Sequence, residues 1–217
     1  MIEKLKIAGG VYLVVDPAME KSLLLCKLAP ALKAGIKAVQ IWNNWPHQAD
    51  KQACIAAVSS LCRAYQVPLI IDNDWELLIG SPYLDGVHFE TLPLNYNEIQ
   101  KKVGRPIIAG ITCSGDLDVV RWAEQNKLDY ISFCAMFPSA SAGSCTIVMP
   151  SVVKEAREIT SLPLFVSGGI TPENMVSLRR LAPFDGVAVI SGVMSTDEPY
   201  AKVKLYQNAL NAPIHNL

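Results

Sequence analysis

The chain has 217 residues, 51% of them hydrophobic and 18% charged, with a formal net charge of −1. This composition builds a large core rather than a disordered segment, and the near-neutral charge excludes a general attraction to nucleic acid or an anionic membrane. No apolar run reaches membrane-spanning length, and the charged start Met1-Ile2-Glu3-Lys4 lacks a signal peptide's apolar centre, so a cytoplasmic location is expected.

Short apolar runs alternate with longer amphipathic segments along the whole chain. The first strand is predicted over 10–15 (Gly-Val-Tyr-Leu-Val-Val) and is followed by a helix over 18–34. Strands at 37–42, 67–72, 85–88, 106–111, 129–133, 162–167 and 184–190 follow in turn. The intervening segments 47–65, 74–80, 95–103, 115–127, 150–160 and 171–182 read as helical, and 197–210 closes the chain. Strands 67–72 and 162–167 are apolar without strict alternation, as expected of parallel strands buried on both faces. Pro68 and Pro163 stand at strand starts, where a missing donor is tolerated. Asp116, Ser151 and Thr171 suit helix caps or first turns, with Pro150 and Pro172 marking helix starts. Eight strands each followed by a helix imply an α/β fold, a single (β/α)8 TIM barrel filling 1–217 as one domain. A doubly wound sheet is disfavoured, because no Gly-x-Gly-x-x-Gly follows the first strand.

Six cysteines lie at 26, 54, 62, 113, 134 and 145 with no Cys-x-x-Cys pair, so neither zinc nor a disulfide framework is indicated. Cys26, Cys54 and Cys62 read as buried reduced thiols. The last two strands end in small residues. Leu164-Phe165-Val166-Ser167 runs into Gly168-Gly169-Ile170-Thr171-Pro172, and Asp185–Ile190 runs into Ser191-Gly192. Small residues ahead of a helix let backbone N–H groups approach an anion, and these two loops are where (β/α)8 barrels hold phosphate. Gly168, Gly169, Ile190, Ser191 and Gly192 are therefore the expected phosphate contacts.

Several segments resemble thiamine-phosphate synthase and its relative, the thiazole tautomerase. They are Tyr12–Asp16, Val39-Gln40, Ile70-Ile71-Asp72-Asn73-Asp74, Asp85-Gly86-Val87-His88, Ala109-Gly110-Ile111-Thr112, Phe137-Pro138, Gly168–Asn174 and Asp185–Ser191, in the family's order. The resemblance implies the (β/α)8 fold and the joining of a pyrimidine methyl diphosphate to a thiazole phosphate with release of pyrophosphate. It implies Mg2+ as cofactor, with Asp74 as ligand, Glu90 as the second, and Asn73 on a phosphate oxygen. Gln40, Thr112 and Ser114 are the other catalytic positions it carries over, and Ser139 and Ser141 are substrate-binding positions in the strand-six loop. Asn73 or Asp74 also suits a helix cap. The expected partner is a small heterocyclic phosphate, with no nucleic acid and no membrane; a homo-oligomer is left open.

Three cations of the family pattern are missing. Gln40 is followed by Ile41-Trp42-Asn43-Asn44 where the family has Leu-Arg-Glu-Lys, and Ala142 stands where it has Lys. At roughly 1.5–3 kcal/mol per charge-assisted hydrogen bond, about 4–9 kcal/mol of leaving-group stabilisation is absent unless replaced. Lys37 and Arg105 precede their strands and belong at the far end of the barrel. The alternative expectation is a catalytically altered or non-catalytic relative, tautomerase-like, that binds a heterocyclic monophosphate. That branch uses a histidine after strand five, where Ser114 stands here beside Cys113. His88 reads as a hydrogen-bonded strand-end residue. Trp42, Trp45 and Trp75 read either as packing for a lid or oligomer contact or as walls of a pocket.

Overall fold

A computed structural model of the chain describes residues 4–138 and 146–213. Eight parallel strands close into a barrel in sequence order: β1 Gly10–Val15, β2 Ala38–Ile41, β3 Leu69–Asp72, β4 Gly86–Phe89, β5 Ile108–Thr112, β6 Tyr130–Phe133, β7 Leu164–Ser167 and β8 Gly186–Val189. Outside it lie α1 Lys21–Lys33, α2 Lys51–Ala64, α3 Tyr96–Val103, α4 Leu117–Gln125, α5 Pro150–Ile159, α6 Pro172–Leu181, α7 Ser191–Met194 and α8 Pro199–Asn211. Each predicted strand is present. The helix predicted over 74–80 is instead a single 3₁₀ turn, Trp75–Leu78. The short α7 is an element that the sequence pattern did not reveal. No described helix is long and apolar enough to cross a membrane.

The strands bury both faces, which is why their sequences do not alternate. Val11, Leu13 and Val15 of β1 join the outer core under the helices, while Tyr12 and Val14 point into the barrel. The interior is filled by Ile7, Tyr12, Val14, Ala38, Ile70, Ile108, Tyr130 and Phe165. Two rings here are too large for full-sized neighbours. A Cβ at Gly110 would strike the Tyr130 ring, and one at Gly186 would strike Phe165.

The predicted caps take their places. Thr171 and Asn174 form a reciprocal capping box at the start of α6, Pro172 holds its first position, and Asp116 accepts from the Asp118 N–H at α4. Of the three cysteines expected to be buried, Cys62 is, Cys54 is half-buried and Cys26 is exposed, because it lies outside the apolar stripe of α1. Burial pushes the Cys62 thiol up to about 12.

Candidate active site

Continuing the inward alternation in steps of two residues carries β2 to β7 from core to mouth. Ala38 gives way to Gln40 and Trp42, Ile70 to Asp72, Gly86 to His88 and Glu90, Ile108 to Thr112, Tyr130 to Ser132 and Cys134, and Phe165 to Ser167. All of these mouth residues line one cavity of about 750 Å³ at the C-terminal end of the barrel. Gly168, Gly169, Ile190, Ser191 and Gly192 line the same cavity.

A chain of hydrogen bonds crosses its floor. The Tyr12 hydroxyl donates to Gln40 Oε1 (2.8 Å) and lies 2.9 Å from the Tyr130 hydroxyl. Tyr130 meets His88 Nδ1 at 3.0 Å, His88 Nε2 meets Thr112 Oγ1 at 2.8 Å, and Thr112 meets Ser132 Oγ at 3.1 Å. One proton per hydroxyl fixes every direction. Tyr12 spends its proton on Gln40, so Tyr130 donates to Tyr12 and His88 Nδ1–H donates to Tyr130. The Nε2 lone pair then accepts from Thr112, which accepts from Ser132. Burial lowers the His88 imidazole to about 4, so it is neutral at physiological pH. Burial likewise pushes both tyrosine hydroxyls well above their ordinary value. The relay positions groups; it does not supply an acid or base near neutrality. The Gln40 oxygen is consumed, so its amide presents N–H donors to a ligand's acceptor atom.

Nitrogen-15 NMR of the imidazole checks this directly. His88 is expected to show the Nδ1–H tautomer and no titration between about pH 5 and 8. Because its folded pKa lies below the unfolded value of 6.5, stability from neutral burial is full above that value and is lost as pH falls toward about 4. A midpoint near 6.5 in the folded protein would refute the relay.

The acidic end of the site differs from the expected ligand pair. Asp72 is fully buried, and Oδ1 has no hydrogen-bond partner among the described residues; Oδ2 accepts from the Asn43 N–H at 3.2 Å. Burial first, and then the Glu90 carboxylate, raises its carboxyl to about 7. Asp74 does not line the cavity: Lys51 holds its carboxylate at 2.6 Å. The cause is Asn73, which adopts a left-handed φ of 55° while its N–H bonds the His88 carbonyl at 2.8 Å. Asp72 is thereby the last residue to follow the inward alternation, and the chain then turns away. The Asn73 side chain does not line the cavity either; it braces Glu90, donating to Oε2 at 3.0 Å and accepting from the Glu90 N–H at 2.9 Å. Among the described residues no group of three or more His, Cys, Asp or Glu is arranged around a metal position. Asp72 and Glu90 form an acidic pair with an unpartnered oxygen, the hard donor chemistry that Mg2+ takes when substrate and water complete its shell.

Ser114 is also outside the cavity. A left-handed φ of 44° there, followed by Gly115 at 82°, turns the chain into α4. Its neighbour Cys113 is buried with its thiol pushed up to about 12, primarily by burial. Thr112, by contrast, is in the cavity as expected. Ser139 and Ser141 lie outside the described residues.

Gly168 and Gly169 have φ of 80° and 63°, and a Cβ on Gly169 would sit 2.7 Å from the Pro138 carbonyl oxygen. Only glycine suits that approach. The loop of β7 is therefore set by packing on the β6 loop as well as by any ligand. Trp42 lines the cavity at the position of the family arginine. Asn44, at the family lysine, donates to both oxygens of Asp16 at 3.1 and 3.0 Å. Trp45 packs between α1 and α2, and Trp75 lies outside near Lys102. Lys37 and Arg105 do not line the cavity. The one cation that does among the described residues is Lys202 of α8, which strand periodicity could not have placed.

Residues 11–193 match the family profile described as "Thiamine monophosphate synthase". The thiamine-phosphate synthase of Xanthomonas campestris pv. campestris (strain 8004) is 31% identical over 92% of this chain and 95% of its own length. That of Xylella fastidiosa (strain Temecula1) is 28% identical over 93% and 85%. Among solved structures, thiamine phosphate pyrophosphorylase from Pyrococcus furiosus superposes with a TM-score of 0.77 at 19% identity, covering 95% of this chain and 96% of the other. At that identity the superposition speaks for the fold. The same holds for (S)-3-O-geranylgeranylglyceryl phosphate synthase from Thermoplasma acidophilum, with a TM-score of 0.67 at 18% identity over 94% and 93%.

Proposed function

Because the chain belongs to the thiamine monophosphate synthase family, we propose that it joins a hydroxymethylpyrimidine diphosphate to a thiazole phosphate, giving thiamine phosphate and pyrophosphate. The observation that carries this reading is the convergence in one cavity of the two phosphate loops, the Gln40 relay and the acidic pair Asp72–Glu90. Relatives named thiamine-phosphate synthase share this chain over nearly its whole length.

The residues divide the work by chemistry. Backbone N–H groups of the 168–169 and 190–192 loops receive the thiazole monophosphate. Gln40, its amide fixed by Tyr12, donates to an acceptor nitrogen of the pyrimidine. Asp72 and Glu90 would hold Mg2+, which supplies positive charge to the departing pyrophosphate. The methylene–oxygen bond breaks with its electron pair leaving on pyrophosphate, and the thiazole nitrogen forms the new bond to the methylene carbon. No proton is transferred in that exchange, which suits a site whose histidine is neutral and whose relay hydroxyls are engaged with one another. The apolar walls Tyr12, Phe165 and Trp42 keep water from the cation-like carbon.

Trp42 favours a second reading, a relative that binds the heterocyclic monophosphate without diphosphate chemistry. An indole in place of a guanidinium leaves the diphosphate end with carboxylates and no described cation. Pyrophosphate release from the two substrates in Mg2+ separates the readings. Magnesium-dependent turnover supports the synthase; binding of the thiazole phosphate without turnover supports the relative.

A further inference from the structure

We infer that Lys202 completes the monophosphate cradle, giving this site a cation that comes from α8 and lies beyond the matched 11–193 region. The inference rests on reading the β7–β8 end as the thiazole-phosphate half. It adds a residue that the loop sequences do not contain.

The placement follows from how α8 docks. Tyr206 is fully buried, and its hydroxyl donates to the Ile170 carbonyl at 2.8 Å, directly behind the β7 loop. Gly192 packs against that same hydroxyl, so closely that a Cβ there would collide with it. Tyr206 is thus wedged between the two phosphate loops. Lys202 lies one helical turn earlier, on the same face. Its ammonium sits 5.8 Å from the Tyr206 ring centroid, and its side chain is half-buried in the cavity wall. The side chain faces the start of α6 as well. The Glu173 carboxyl there is held below its ordinary value first by the Thr171 hydroxyl, with Lys202 adding a smaller attraction.

Other cations on the helices flanking β7 and β8 are occupied, two of them at the far end of the barrel. Lys27 donates to the Thr196 carbonyl at 2.8 Å, Lys204 to that of Ala34 at 2.8 Å, and Arg179 to those of Ala209 and Ala212. Lys202 makes no ion pair among the described residues. With Asp72 and Glu90 at the β3–β4 side and Lys202 at the β7–β8 side, the cavity is electrically polarised along its length. A ligand whose phosphate lies at the Lys202 end matches that polarity.

Calorimetric titration of the full chain with thiazole phosphate, and with the unphosphorylated thiazole alcohol, tests this. Lys202→Met keeps the packing over Tyr206 and removes the charge. It is expected to weaken thiazole phosphate about tenfold or more, as loss of a charge-assisted hydrogen bond does, and to leave the alcohol's affinity unchanged. Lys202→Arg should restore most of the phosphate affinity, and KM for the pyrimidine diphosphate should stay within about twofold. Equal affinity of Lys202→Met and the unsubstituted protein for thiazole phosphate would overturn the inference. So would an equal loss for phosphate and alcohol, or a parent chain that binds no thiazole phosphate. Lys202-dependent binding with no pyrophosphate released would instead leave this inference standing and overturn the synthase reading.

Discussion

Asp72→Asn is expected to lower magnesium-dependent pyrophosphate release by about 10²–10³-fold and, in the same protein, to raise stability at alkaline pH. The activity loss follows from removing one of the two carboxylates that would hold Mg2+, and with it the positive charge that meets the departing pyrophosphate, a loss of transition-state charge stabilisation that typically costs that much. The stability gain follows from burial. The carboxyl is raised from 3.8 to about 7, so the unfolded chain releases this proton first. Stability therefore falls as pH rises through that interval and levels off above it. Roughly three pH units at about 1.4 kcal/mol each give a cost on the order of 4 kcal/mol, absent in the asparagine variant. Asparagine retains an oxygen for the Asn43 N–H, so no new orphan donor is forced at that contact. Chemical denaturation at pH 4 and pH 8 reads the difference: near-equal stability at the lower pH and a more stable variant at the higher. Asp74→Ala, which removes only the surface partner of Lys51, should keep most of the activity. The reverse ranking, with Asp74 essential and Asp72 dispensable, would put the ion outside the cavity.

Trp42→Arg is the second large effect, and it runs in the direction of gain. The side chain is partly exposed at the cavity mouth, so a guanidinium fits without opening the interior core. One charge-assisted contact to a diphosphate oxygen is worth roughly 1.5–3 kcal/mol, or about a 10- to 150-fold rise in kcat/KM for the diphosphate substrate. Thiazole phosphate affinity should change far less, because its cradle is built on the loops of β7 and β8, with β1 standing between β8 and β2. A guanidinium at this position also has Asp72 and Glu90 as neighbours on the cavity wall. If the substitution raises stability at pH 8 without improving the diphosphate, the arginine has paired internally. The β2 loop then does not set diphosphate affinity.

Both variants bear on where the negative charge of the reaction is met. Without the three family cations, the described cavity offers Lys202 and backbone donors at one end and two carboxylates at the other. On the proposed reading, Mg2+ held by the acidic pair would reverse the sign of that second end, and the diphosphate half would depend on the ion more heavily than a cradle built with Arg and Lys; the monophosphate half would not depend on it.

Much of this was legible in the sequence. Strand period and turn residues are local properties, so the eight strands, the capped starts of α4 and α6 and the proline start of α5 could be located from spacing alone. The tight turn after β7 was legible for the same reason, since Gly168 and Gly169 adopt positive φ values that other residues rarely take. Asp72 was within reach as well. Counting inward from Ile70 by twos selects Asp72, whereas a motif reading selected the neighbouring Asn73-Asp74. For the question of which side chain lines the cavity the strand alternation is the guide, because the left-handed turn at Asn73 ends it one residue after Asp72.

By itself the sequence determined the barrel, its order and the end that carries the site, because these follow from patterns that repeat within a few residues. Only the tertiary structure decided which carboxylate enters the cavity, how the hydroxyls and His88 orient Gln40, and that Lys202 lines the cavity. Those depend on the sense of a single backbone turn, on contacts as far as Tyr12 to Tyr130, and on how the last helix docks against β7 and β8. No local pattern encodes such distances.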